Sequence, residues 1–215
     1  TYSHEQIKLQ PTLFPTFCAE GTFFLGLKNL VPGNNLNLLF ELSEATSDSE
    51  SQKEPVQWHY LDSNVWKPLR SGFELLDDAS ENLTTSGIIK FAMPANMTSG
   101  NTIMSDSLYW IKVSVPQNSK AVSETTAIYP QAISVTFTND PANDKLRLSQ
   151  PLVAGSISKL SVADANVKSV QQPFDSFGGE IPEIQQQFYV RVSEELRHKG
   201  RAIQKFDHER LALQE

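Results

Sequence analysis

Leu36, Leu38, Phe40 and Leu42 alternate with Asn37, Leu39 and Glu41, and this period of two recurs so often before residue 138 that it limits the fold more than any other feature. It returns at Val56, Trp58 and Tyr60, at Ile89, Phe91 and Met93, at Tyr109, Ile111, Val113 and Val115, and at Ile133, Val135 and Phe137. A strand sends successive side chains to opposite faces, so each run describes a strand with one buried face. Turn signals separate them: Pro32-Gly33-Asn34-Asn35 ahead of one, Ser71-Gly72 and Asn139-Asp140-Pro141 after others. Residues 44–54 are rich in Ser, Glu and Asp and read as a solvated loop. No helix-period segment of useful length precedes residue 180, which speaks against β-α-β winding and for a sandwich or barrel.

After Asn143 the texture changes. Leu146, Leu148, Leu152 and Val153, then Leu160, Val162, Val167 and Val170, are strand-like pieces expected to add a small sheet. Gln171-Gln172-Pro173-Phe174-Asp175-Ser176-Phe177-Gly178-Gly179 then interrupts every period, as a loop should. A helix is predicted over about 182–199. Pro182 suits its first turn and Glu183 the positive end of its dipole. Ile184, Phe188, Val192 and Leu196 recur every four residues as an apolar face, with Gln185, Gln187, Arg191 and Glu194 elsewhere. His198-Lys199-Gly200 supply cationic residues and a glycine stop. A second helix is predicted over about 204–214, with Asp207 and Glu209 in its early turns and Phe206, Arg210 and Leu213 along one side. The expected class is mainly β: a connecting segment over 1–20, an N-terminal β-sandwich over 21–142, and a smaller α+β segment over 143–215 ending in a helical hairpin.

Of the 215 residues, 39% are hydrophobic and 20% charged, enough to bury one sizeable core or two modest ones. The formal charge of -7 repels a polyanion, so nucleic acid is not expected as the main partner. Cys18 is the one cysteine. It excludes an internal disulfide framework and a Cys-based zinc site, and it reads as a small buried apolar residue with nothing nearby to activate it. No charged-then-apolar leader opens the residues given, and there is no run of about eighteen apolar residues. No membrane span is expected, and the single thiol is compatible with synthesis in a reducing cytoplasm. The last residues, Leu211-Ala212-Leu213-Gln214-Glu215, stop inside an apolar periodic pattern, so the chain is expected to be a piece of something longer.

Candidates for chemistry are thin. Asp77-Asp78, followed by Ser80, Glu81 and Asn82, lacks the order of a calcium loop and reads as a solvated turn. His4, His59, His198 and His208 show no metal-ligand spacing, and His59 lies on the face of its strand opposite Trp58 and Tyr60. Gly178-Gly179 ahead of a helix matches neither phosphate-binding glycine pattern. Trp58, Trp66 and Trp110 invite a sugar-stacking face, but Trp58 falls on a buried phase and Trp110 opposite Ile111, so core packing is favoured. Asn82-Leu83-Thr84 and Asn96-Met97-Thr98 are glycosylation sequons by pattern only. Arg191, Arg197, His198, Lys199 and Arg201 form the basic cluster, open either to a solvated helix end or to a protein interface. No enzyme, metal or cofactor is expected.

The run QPFDSFGGEIPE followed by FYVRVSEELRHKGRAIQKFDHERLALQ closely resembles the baseplate J-like wedge proteins of contractile injection systems, tail-like particles related to phage tails and type VI secretion. Phe174, Ser176, Phe177, Gly178 and Gly179 match the family's loop. Phe188, Tyr189, Arg191, Val192, Ser193, Glu194, Leu196, Arg197, His198, Lys199, Arg201 and Ala202 match its first helix and turn, and Asp207, Glu209, Arg210 and Leu211 its second helix. Phe206 and His208 stand where the family has tryptophan and tyrosine, both changes keeping a ring. Gly21-Thr22-Phe23-Phe24-Leu25-Gly26-Leu27, the stretch from Trp58 to Leu69, Thr85-Ser86-Gly87-Ile88-Ile89-Lys90-Phe91 and Leu108-Tyr109-Trp110-Ile111 are similar to its β-domain, more weakly. The resemblance implies a structural wedge component of a longer kind, with other baseplate wedge proteins and a second copy of itself as partners and no catalytic residues. The assembly interface is expected at Phe188, Arg191, Val192, Leu196, Arg197, Lys199, Arg201, Phe206, Asp207 and Arg210. The alternative is a carbohydrate-binding or adhesive β-sandwich module of a larger protein.

Overall fold

The alternating runs become strands in the computed structural model, which describes residues 18–43, 45–138, 140–198, 201 and 204–212. Among the described residues there are eight strands: β1 (Gly21–Leu27), β2 (Asn35–Leu42), β3 (Gln57–Asp62), β4 (Val65–Pro68), β5 (Leu75–Asp78), β6 (Gly87–Ala92), β7 (Tyr109–Val115) and β8 (Thr125–Pro130). They form two four-stranded antiparallel sheets, ordered β1-β7-β3-β4 and β5-β6-β2-β8. The chain divides into two compact units, Thr1–Val135 and Thr136–Glu215. The first holds both sheets.

Pairing places the apolar phases together. Trp58 faces Val113 and Tyr60 faces Ile111 across β3 and β7, while Leu36 faces Phe91 and Leu38 faces Ile89 across β2 and β6. These residues, with Phe40, Leu42 and Val115, form one buried cluster. Trp58 joins the sheets within it, its ring 5.7 Å from that of Phe40 and 5.1 Å from that of Phe91, in edge-on and tilted contacts favoured by the ring quadrupoles. Each such side chain contributes roughly 1.5–3 kcal/mol by leaving water. Leu39, on the opposite phase of β2, is buried too. β2 is an interior strand, and Ile88 and Tyr129 flank Leu39 on either side.

Local chemistry sets the connections. Ser63 and Asn64 both take left-handed φ values, 49° and 66°, and close β3 onto β4 as a two-residue hairpin whose twist matches its strands. Gly33, at φ 88°, turns the chain into β2, and its N–H donates to the Met93 carbonyl at 3.0 Å. Glu81, Asn82 and Leu83 are left-handed in succession. Asp78 supports that turn: its carboxylate accepts from the Ser80 N–H and hydroxyl (2.9 and 2.5 Å) and from the Asn82 N–H (3.2 Å).

Three expectations need correction. Ile133, Val135 and Phe137 form no strand: Gln131, at φ 56°, turns the chain out of β8, and the three apolar side chains beyond it are exposed. The apolar pieces between 146 and 170 form no sheet among the described residues. There, side chains capture the backbone locally instead, Asp144 accepting from the Leu146 N–H (3.0 Å) and Asp164 from the Asn166 N–H (2.8 Å), which competes with ladder formation. Cys18 is exposed, because it precedes β1 and has no place on an inward-facing strand phase.

The second unit contains a 3-10 turn at Lys145–Ser149 and two helices, α1 (Gln185–His198) and α2 (Lys205–Ala212). Ile184 caps α1: its carbonyl accepts from the Phe188 N–H (3.0 Å), and the Gln187 side chain reaches back to the Ile184 N–H (3.2 Å), the returning half of a capping box. Gly200, Leu213 and Gln214 lie outside the described residues, as do the bonds of Asn139.

Candidate assembly surface

Two of the candidate residues, Asp77 and Asp78, have structural roles. Asp78 holds the turn described above, and Asp77 pairs with Lys90 on the neighbouring strand at 3.0 Å. Among the described residues no group of three or more His, Cys, Asp or Glu side chains is placed to hold a metal ion, and no helix is long and apolar enough to cross a membrane. His208 is exposed; His4 and the side chain of His198 lie outside the described residues.

His59 is half-buried on the outer face of the first sheet, opposite Trp58 as its phase predicts. Its Nδ1 is buried without a hydrogen-bond partner among the described residues. Burial, and then the charge of Lys112, hold its pKa below the ordinary histidine value. The same face carries Trp66 and Trp110. Trp66 packs against Phe24 at 5.6 Å between ring centroids and lies 5.6 Å from the Lys112 ammonium, whereas the Trp110 indole donates to the Ser105 carbonyl at 2.9 Å. Only Trp58 of the three belongs to the buried core.

On α1 the four-residue apolar spacing meets solvent. Phe188 and Leu196 are 45% and 68% exposed, Ile184 just ahead of the helix is 58% exposed, and Val192 is half-buried. Isolated helices of about 12–15 residues are marginal in water, and most helices in proteins depend on packing of their apolar stripe. This 14-residue helix exposes its stripe instead.

Arg191 is held within the unit. Its guanidinium makes a two-pronged contact with Glu183 (3.1 and 3.0 Å), lies 3.7 Å from Glu195, and sits over the Phe188 ring at 5.5 Å. The Glu183 hydrogen bond raises its pKa further. Arg197 lies over the Phe206 ring at 5.4 Å, linking α1 and α2, and Arg201 is exposed. Lys199 and the side chains of Asp207 and Arg210 lie outside the described residues.

Two polar residues that sequence reasoning did not single out organise the loop at 171–179. The Gln172 amide donates to the carbonyls of Leu152 (3.3 Å) and Phe174 (2.9 Å), and its Oε1 accepts from the Ile157 N–H (3.1 Å). Asp175 accepts from the Ala154 N–H at 2.7 Å. Ser176 both donates to and accepts from Leu152. Asp and Ser in a segment without periodicity were the available signal, since such side chains readily bond nearby backbone. The residues at 152–157 that complete the bonds carry no such signal.

Fold and surface define a two-sheet β-sandwich protein with a helical C-terminal unit whose apolar stripe faces solvent. The chain belongs to the PVC11-like family of baseplate proteins, whose family model matches residues 11–211. No curated protein matches it.

Proposed function

We propose that this chain is a structural, non-catalytic component of the baseplate wedge in a contractile injection system or phage-like tail, made and assembled in the cytoplasm. The sandwich acts as a rigid body, and α1 and α2 join helices of neighbouring wedge proteins or of a second copy. The observation that carries this is the exposed apolar stripe of Phe188 and Leu196 on α1, continued by Ile184 just ahead of it, on a 14-residue helix of a length that is marginal in isolation. The family match supports it independently. The interface is expected to comprise Phe188, Arg191, Val192, Leu196, Arg197, Lys199, Arg201, Phe206, Asp207 and Arg210, with Arg191 contributing its ring-stacked guanidinium rather than a free charge.

The test is deletion of 188–214 from the full-length protein in a strain that produces the particle. Baseplates are expected to be lost or incomplete, by electron microscopy and by content of neighbouring chains. Normal particles would sink the proposal. The alternative of a carbohydrate-binding module draws on Trp66 and Trp110, but Phe24 and Lys112 already engage Trp66, and Trp110 is tied to Ser105.

A further inference from the structure

We propose that Phe177 is a preorganised anchor, held out by the 171–179 loop to fill an apolar pocket on a different baseplate protein. This rests on the baseplate reading above but concerns a surface separate from the helices.

Three observations converge. The ring of Phe177 is 86% exposed, although large aromatic side chains are normally the most costly to leave in water. The loop behind it is held by the bonds of Gln172, Asp175 and Ser176 to Leu152, Ala154 and Ile157, so these three polar side chains are engaged internally. Phe177 itself is propped by the half-buried Phe174, ring centroids 6.3 Å apart. Gly178 follows at φ 70°, and a Cβ on Gly179 would approach the Leu148 carbonyl oxygen to 3.3 Å, so both glycines serve the sharp exit from the loop. The loop thus spends its bonding on positioning one apolar ring that its own unit does not bury. An exposed aromatic on a loop already ordered by internal bonds, with little loop entropy left to lose on binding, is the physical profile of an interface hot spot.

Charge selects the partner. From residue 171 to residue 183 there is no Lys or Arg, Asp175 and Glu180 are acidic, and Glu183 is already paired with Arg191. That disfavours phosphate-bearing surfaces, and it favours an apolar pocket with a basic rim. A second copy docking loop to loop is disfavoured because it would set Asp175 and Glu180 of one copy against those of the other. The occupant is therefore a neighbouring baseplate chain of different sequence.

The test uses the full-length protein in a particle-producing strain. With the photoreactive p-benzoylphenylalanine at position 177, irradiated purified particles are expected to yield an adduct with another baseplate polypeptide at apolar residues. Adducts only between copies of this chain, or none, overturn the proposal. Phe177→Ala should lower incorporation into particles roughly thirty-fold, the loss expected of a hot spot, while Phe177→Trp retains it and both leave the unfolding midpoint of the sandwich unchanged. Wild-type incorporation of Phe177→Ala also overturns it. Leu196→Asp, measured in parallel, separates the two ideas: its loss beside a normal Phe177→Ala refutes the anchor and leaves the helical interface standing.

Discussion

Ser176 and Leu152 exchange two hydrogen bonds: the Ser176 N–H donates to the Leu152 carbonyl at 2.9 Å, and the Leu152 N–H donates to the Ser176 hydroxyl oxygen at 2.8 Å. One short side chain thereby lets two segments without strand structure pair as if they were a ladder. Ser176→Ala removes the second bond. The expected cost is about 1 kcal/mol, seen locally as about fivefold faster hydrogen exchange at the Leu152 amide with the sandwich amides unaffected.

Trp58 and Trp66 should differ sharply on truncation. Trp58 fills the space between the sheets against Phe40 and Phe91, so Trp58→Ala is expected to cost about 3–5 kcal/mol in urea unfolding. Trp66 is half-buried on the outer face, where the site can collapse or rehydrate, and Trp66→Ala should cost well under half of that. Equal losses would refute the assignment of the two faces.

Gly87 opens β6 with no room for a side chain. A Cβ there would lie 2.3 Å from the Ala79 carbonyl oxygen, which is backbone and cannot swing aside. Gly87→Ala is expected to lower stability by about 2–3 kcal/mol, whereas Gly100→Ala, with open space around it, should change it by less than about 0.5 kcal/mol. Thermal unfolding of the two variants side by side is the check.

Acid should weaken the fold in two stages. His59 has a folded pKa below its ordinary 6.5, so the unfolded chain takes up the proton first. Its contribution is whole above about pH 6.5 and is lost as pH falls from there. Glu74 follows. Its carboxyl, held by Arg70 through hydrogen bonds of 2.8 and 3.2 Å, has a pKa lowered from 4.5 to about 2, so its contribution is present above about pH 4.5 and disappears toward pH 2. Denaturant midpoints between pH 7.5 and 2.5 should show both slopes, with His59→Leu flattening the upper one and Glu74→Gln reducing the lower one, which Glu20, Asp48 and Asp62 share through their own lowered pKa values.

The core strands were legible because period-two patterning is a property of consecutive residues. Leu36, Leu38, Phe40 and Leu42 announce a buried phase whatever surrounds them, and so do Ile111, Val113 and Val115. The short edge strands β4 and β5 were not, since four residues carry too little alternation and Ser63-Asn64 is a weaker hairpin signal than Asn-Gly. Ile133, Val135 and Phe137 misled for the converse reason: their pattern is that of a strand, yet after left-handed Gln131 the Ala132 N–H makes one more bond to β2, at the Asn37 carbonyl (3.2 Å), and the ladder ends there. Of the candidate assembly surface, the four-residue stripe and the loop motif were visible. The bonds to Leu152, Ala154 and Ile157 were not, because the partners are 15 to 24 residues away and contribute only backbone.

By itself the sequence determined that this protein is mainly β, that its strands bury Trp58, Phe40 and Phe91 on shared phases, and that an amphipathic helix follows a specific aromatic loop. Those properties rest on local periodicity and residue type. Tertiary structure alone decided which strands pair, that Arg191 is bound by Glu183, and that Phe177 stands in solvent while Gln172, Asp175 and Ser176 are spent beneath it. Strand pairing and the loop's bonds join residues distant in the chain, and the Glu183–Arg191 pair, eight residues apart, depends on how the chain enters α1, none of which patterning along the sequence specifies.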